Sequence, residues 1–201
     1  LRLGTLLAEL SDGRCRRVDV RYAGPVAGAL RPLAAAAVEG FLRPTVEPPI
    51  NVVNALALAA ERGIEVGRVR IGEVRDYTNY VELRGYLGSD GILGTEIVVG
   101  GALLGDRQHP RIVRIGDFHV DTVPRGTLLL IRNRDVPGVI GEVGSRLGSA
   151  GVNIAEYHQS RREAGGDALG VVTLDGAVTR ELLDTLRGLP AVESVRQVSF
   201  D

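Results

Sequence analysis

Thr127-Leu-Leu-Leu-Ile-Arg-Asn-Arg-Asp-Val-Pro-Gly-Val139 is the stretch on which the fold of this chain turns. An apolar run of strand length, 127–133, meets polar residues and then Pro-Gly, after which apolar residues recur at helical spacing. A helix is therefore predicted over 137–149, with Val139, Val143, Leu147 and Ala150 as its apolar stripe. Strands follow at 152–161 and 167–174, then a helix at 179–188 with Leu182, Leu183, Leu186 and Leu189 as its stripe, then a strand at 191–200. The order is βαββαβ, the ferredoxin-like split pattern in which two helices cover one face of a four-stranded antiparallel sheet.

Upstream, Leu3, Leu6, Leu7 and Leu10 recur at helical spacing until the Ser11-Asp12-Gly13 break, which predicts a helix within 1–13. The alternation Val18, Val20, Tyr22 predicts a strand over 16–23. Helices are expected at 30–42 and 50–62, separated by Pro44, Pro48 and Pro49. Segments rich in β-branched residues follow at 64–75, 79–87, 92–104 and 111–121, joined by turn signals such as Gly88-Ser-Asp-Gly91. The predicted class is α+β throughout, with a first domain over 1–123 and the βαββαβ domain over 124–201.

With 201 residues, 44% of them hydrophobic, the chain can furnish real cores. A formal net charge of -1 leaves no electrostatic footprint for nucleic acid or an anionic membrane. Gly, Pro or charge cuts every apolar run well before the roughly 20 residues of a bilayer span, and a cytoplasmic location is expected. The one cysteine, Cys15, excludes an internal disulfide and a cysteine-rich metal or iron–sulfur site. All 24 basic residues are arginine, so neither a pyridoxal Schiff base nor a P-loop lysine is available. With no methionine and leucine at position 1, the sequence is expected to lack an upstream segment.

No two of the 27 glycines are separated by a single residue, so the G-x-G-x-x-G loop of a dinucleotide site is missing. Gly138, Gly141 and Gly144 have the wrong spacing for it and read as close helix packing. His109, His119 and His158 fall at no ligand or triad spacing. No catalytic residue and no metal ligand is assigned. Residues 133–139 carry the chemistry instead. Pro137 and Gly138 suit a helix start, where the amides that follow, beginning with Gly138 and Val139, can hold a carboxylate. Asp135 can accept an ammonium group, and the Asn133 carboxamide can both donate and accept. One small zwitterion would satisfy all three. The alternative, that Asp135 caps the helix and Asn133 ends a strand, is open on spacing alone.

Asp135-x-Pro-Gly138 opening a helix, with Ala150-Gly-Val-Asn-Ile154 entering the next strand, resembles the ACT domain, a small-ligand regulatory module, over about 126–201. The stretch Ile50-Asn-Val-Val-Asn-Ala-Leu-Ala-Leu-Ala-Ala-Glu-Arg-Gly-Ile64, together with Gly101-Ala-Leu-Leu-Gly105 and Ile112-Val-Arg-Ile-Gly-Asp-Phe118, resembles the intervening domain of D-3-phosphoglycerate dehydrogenases. That resemblance implies missing N-terminal catalytic domains that use NAD, and no cofactor in this chain. It also implies feedback sensing of L-serine, or another small amino acid, in a homo-oligomer where two ACT domains meet side by side. Asn133 and Asp135 of one chain and Asn153 of the other match the ligand positions, although Asn133 stands where the family has His or Tyr. The family's anion site between the two domains is matched by Arg111, while its other basic positions fall at Val123 and Thr173, with Arg125 close enough in sequence to substitute. An L-serine dehydratase subunit has a similar domain pairing without the required cysteines here, and a free-standing amino-acid-binding module is a third reading.

Overall fold

Leu6 and Leu7 are fully buried on α1 (Arg2–Ser11), which ends where Asp12 and Gly13 both take left-handed backbone. After β1 (Arg17–Ala23), α2 (Leu30–Leu42) packs on α1 at backbone distance. A Cβ on Gly4 would strike the Ala37 carbonyl, and one on Gly40 would strike the Leu1 carbonyl. The helix expected over 50–62 is shorter, α3 (Ala55–Glu61). The Asn51 carboxamide oxygen accepts from the amides of Val53 and Asn54 at 2.9 and 3.2 Å, and that of Asn54 accepts from the Asn51 amide at 2.8 Å. These side chains stabilise a turn in place of the first helical turn.

β2 (Glu65–Arg70) pairs parallel with β1, whose other edge meets β3 (Tyr80–Tyr86) antiparallel. β4 (Glu96–Leu104) and β5 (His109–Ile115) extend the sheet in the order β2-β1-β3-β4-β5. Its register lines up Arg21, Glu82, Gly100 and Arg114 across four strands. Glu82, with a side chain only 4% exposed, accepts from Arg84 at 2.6 Å, Arg114 at 2.9 Å and the Tyr80 hydroxyl at 3.0 Å, and Arg21 lies 3.3 Å away. Arg114 reaches Glu82 across Gly100, where a Cβ would strike the Tyr80 hydroxyl. Burial by itself would raise the Glu82 pKa, but hydrogen bonds from Arg84 and Tyr80 and the arginine charges outweigh it and hold the carboxyl below the usual range.

The structure, a computed structural model, describes residues 1–45, 49–88, 95–105 and 108–200 in two compact units, Leu1–Gly116 and Asp117–Asp201. Pro48 and residues 89–91 of the expected turn lie outside the described residues. The segment expected as one piece over 111–121 is divided by a turn at Gly116, whose φ of 57° glycine tolerates at little cost. β6 (Phe118–Thr122) beyond that turn belongs to the second unit.

There β7 (Gly126–Arg134), α4 (Val139–Ser149), β8 (Ile154–Arg161), β9 (Asp167–Leu174), α5 (Arg180–Arg187) and β10 (Val192–Phe200) follow in the order βαββαβ. The strands form an antiparallel sheet ordered β10-β7-β9-β8, the ferredoxin-like arrangement, and β6 lies against β8 and β9. Leu129 and Ile131 of β7 pack with Val172 and Leu174 of β9 beneath Val143, Leu147, Leu182 and Leu186 of the two helices. Ala150, expected in the first stripe, is the exposed residue at which α4 ends. The Thr179 hydroxyl caps α5, accepting from the Leu182 amide at 3.3 Å. Among the described residues no helix is long and apolar enough to cross a membrane.

Candidate functional site

β7 alternates, so Asn133 falls in line with Leu129 and Ile131, where an apolar residue is the rule. It is 0% exposed. Its amide nitrogen donates to the Arg134 carbonyl at 2.8 Å, while its Oδ1 has no partner among the described residues. A buried acceptor without a donor costs about 1–3 kcal/mol.

Two residues on, Asp135 is tied to the turn between β8 and β9. Its amide donates to the Gly166 carbonyl at 2.8 Å. Its carboxylate accepts from the Arg161 guanidinium at 2.8 Å, the Gly165 amide at 3.2 Å and the Gln159 amide nitrogen at 3.4 Å. The Arg161 hydrogen bond, followed by that of Gly165, holds the Asp135 carboxyl below its ordinary pKa. Asp135 is thus ionised, and it does not cap the helix: Gly138 is the N-cap of α4 and no side chain caps it.

The helix starts later than 137. Gly138 has φ 98°, a conformation that turns the chain sharply and leaves Pro137 outside the helix. The first intrahelical bond runs from the Glu142 amide to the Gly138 carbonyl at 2.9 Å, so the amides of the first turn, from Val139 on, face outward from the ladder. The Val139 side chain is buried in the core. Glu142 lies in that first turn and complements the positive end of the helix.

Asn153 is elsewhere. It is exposed just before β8 and donates to the Asp175 carboxylate at 2.5 Å. Register fixes the separation: Ile154 and Thr127 both align with Leu174, whereas Arg161 and Asn133 both align with Ala168. Six or seven residues of strand lie between the two ends, about 20 Å. One copy therefore brings Asn133, Asp135 and the start of α4 together, with Asn153 at the far end. β8 is an edge strand of its sheet. Arg111 is on β5 in the first unit and Arg125 is exposed ahead of β7 in the second. His109, His119 and His158 fall on β5, β6 and β8, and among the described residues no group of three or more His, Cys, Asp or Glu could hold a metal.

Sequence reasoning missed Arg161, Gln159 and Gly165. They reach Asp135 from 24 to 30 positions away in sequence. The only signal pointing to them is the strand order, which sets Arg161 in the same cross-strand row as Asn133.

The βαββαβ unit with its glycine-opened helix coincides with a family match: the ACT family profile matches residues 127–191. The profile described as "D-3-phosphoglycerate dehydrogenase intervening domain" matches residues 1–116, more than half of the sequence. The chain belongs to that family, the D-3-phosphoglycerate dehydrogenase intervening domain, with an ACT domain following it. It is 34% identical over 200 residues to a D-3-phosphoglycerate dehydrogenase of Synechocystis sp., with 98% of this chain and 35% of that protein covered. A D-3-phosphoglycerate dehydrogenase of Methanocaldococcus jannaschii is 30% identical over 199 residues, covering 98% of this chain and 36% of that protein. One from Bacillus subtilis is 30% identical over 202 residues, covering 99% and 37%. The chain spans about a third of the length of these curated relatives.

Proposed function

We propose that this chain is the regulatory part of a D-3-phosphoglycerate dehydrogenase of serine biosynthesis, and that its ACT domain senses L-serine. The observation that carries the reading is the buried Asn133 Oδ1 without a donor, beside an ionised Asp135 and the uncapped first turn of α4. A free amino acid offers a donor for Oδ1, a carboxylate for the first-turn amides, and a cation able to take the place that Arg161 holds on Asp135. Its carboxylate rests on the amides that follow Pro137, from Gly138 and Val139 onward. Its ammonium replaces the Arg161 guanidinium on Asp135, an exchange that is easy because the Arg161 side chain is 58% exposed.

Asn153 joins from a second copy. Antiparallel association of two β8 edges about a twofold axis pairs the start of one strand with the end of the other, which closes the roughly 20 Å gap that one copy cannot. A homo-oligomer is therefore part of the proposal. A second ligand, a small anion at Arg111, belongs to the same reading. The glycine spacing of these 201 residues does not fit NAD, so oxidation of phosphoglycerate with that cofactor belongs to a part of the enzyme outside them.

Melting the chain with and without L-serine tests the proposal. Ligand at a hundred times its Kd stabilises the folded form by about 2.7 kcal/mol, a rise of several degrees. D-serine should give none, and Asp135→Ala should weaken L-serine about tenfold or more. Light scattering should report a dimer. If no L-amino acid shifts the curve, or if Asp135→Ala keeps full affinity, the sensing role is lost.

A further inference from the structure

Within the first unit, Arg14, Arg16 and Arg62 converge on a cleft of about 620 Å³ that Leu42, Ile64 and Leu87 line on its apolar side. Among the described residues no carboxylate lines it. Arg14 is spent in part on Asp12 at 2.9 Å, an exposed pair of little energetic weight. Among the described residues the guanidinium groups of Arg16 and Arg62 have no counter-charge. Cys15 adds none: burial pushes its thiol up, the Ser11 hydrogen bond opposing only in part, so it is neutral at ordinary pH. Three like charges with one exposed acid between them among the described residues raise the local positive potential in a chain whose net charge is -1.

The arginines stand on ordered backbone. The Arg16 amide donates to the Tyr86 carbonyl at 3.0 Å and its carbonyl accepts from the Glu65 amide at 2.9 Å, which clamps it between the ends of β3 and β2. Arg62 is the C-cap of α3, followed by an Ile64 amide that donates to Ala59 at 2.9 Å. The Gly13 amide is bonded to Ala8 at 2.9 Å beside Arg14. Such anchoring lowers the entropy lost when the guanidinium groups close on a ligand. Forked guanidinium donors match the oxygens of a tetrahedral dianion, and the cleft volume falls within the range of small-molecule sites.

We infer that this arginine cleft is a binding site for a small organic phosphate, the phosphoryl group on Arg14, Arg16 and Arg62 and the carbon chain against Leu42, Ile64 and Leu87. It uses neither Arg111 and Arg125 nor any residue of the amino-acid site, so it stands or falls separately from both.

An NMR titration of the chain at low salt reads the site residue by residue. Inorganic phosphate should move the amides of Gly13, Cys15, Ile64 and Gly88 along one saturating curve; glycerol 3-phosphate should move them at lower concentration, and glycerol should not move them. Arg16→Gln with Arg62→Gln should weaken phosphate by about tenfold or more, the loss expected for charge-assisted hydrogen bonds. Arg31→Gln, which removes an exposed charge outside the cleft, should leave the curve in place. Each single variant, Arg16→Gln or Arg62→Gln, should lose severalfold, which keeps the test available if the double variant folds poorly. Amides that do not move at tens of millimolar phosphate, or a double variant whose affinity stays within twofold, would overturn the assignment.

Discussion

Replacing Asn133 with leucine separates a residue retained for structure from one retained for a ligand. The carboxamide is 0% exposed, its Oδ1 has no donor, and its nitrogen makes one bond to the Arg134 carbonyl at 2.8 Å. That carbonyl also accepts from the Val136 amide at 2.9 Å, so it keeps a partner in the variant. The change forfeits one hydrogen bond, about 1 kcal/mol, and removes an orphaned acceptor that costs about 1–3 kcal/mol. Leucine is branched at the same atom and adds apolar contact worth about 1–2 kcal/mol beside Ile131, against about 1 kcal/mol for crowding. The net expectation is a gain of about 1–2 kcal/mol, or about 5–10 °C for a unit of this size. Urea denaturation followed by circular dichroism should show a higher midpoint at unchanged slope. The same variant should lose its response to L-serine. A loss of more than about 1 kcal/mol would mean that Oδ1 is satisfied in the native protein, and a preserved serine response would place the ligand elsewhere.

Three further outcomes are expected. Glu82→Gln should cost the first unit about 3 kcal/mol, the low end for breaking a buried pair, because Arg21, Arg84 and Arg114 keep 24% to 32% of their exposure. Since the Glu82 pKa lies below its ordinary value of 4.5, its contribution is complete above that value and is lost as pH falls through the depressed one; acid denaturation curves of Glu82→Gln should flatten below about pH 4.5. Gly4→Ala should destabilise by about 3 kcal/mol or more in a thermal melt, because the new Cβ meets the Ala37 carbonyl and the Phe41 amide, backbone atoms that cannot turn aside. Arg161→Gln should tighten L-serine severalfold by calorimetry, since it removes the cation that occupies Asp135; weaker binding would mean that Arg161 holds the ligand's carboxylate instead.

Periodicity settles what depends on near neighbours, and here that was a great deal. The apolar run from Thr127 to Ile131, bounded by polar residues and Pro-Gly, states a strand by its length, and the stripe Val139, Val143, Leu147 states a helix because side-chain direction follows from position along a regular backbone. The order βαββαβ then admits few sheets, and β10-β7-β9-β8 is the ferredoxin-like one. Local chemistry already departs from the pattern at Asn51 and Asn54, whose side chains take the amides a helix would have used.

Residues 133–138 announced a candidate site by composition, since acid, amide, Pro and Gly before a helix are visible in a line of text. What Asp135 does is not visible there. Its partners Gln159, Arg161 and Gly165 arrive only when β8 and β9 form a hairpin that pairs with β7 in one register. Arg21, Glu82 and Arg114 become one network for the same reason, and Arg14, Arg16 and Arg62 meet only after α3 and β2 return to the start of β1. The sequence by itself determined most of the elements, the sheet class and the place of the Pro-Gly turn before α4, because these follow from contacts within a few residues. The tertiary structure alone decided which charges are neutralised and which are left over, because a charge is satisfied by whatever lies within about 4 Å in space, and nothing local to a residue specifies what that will be.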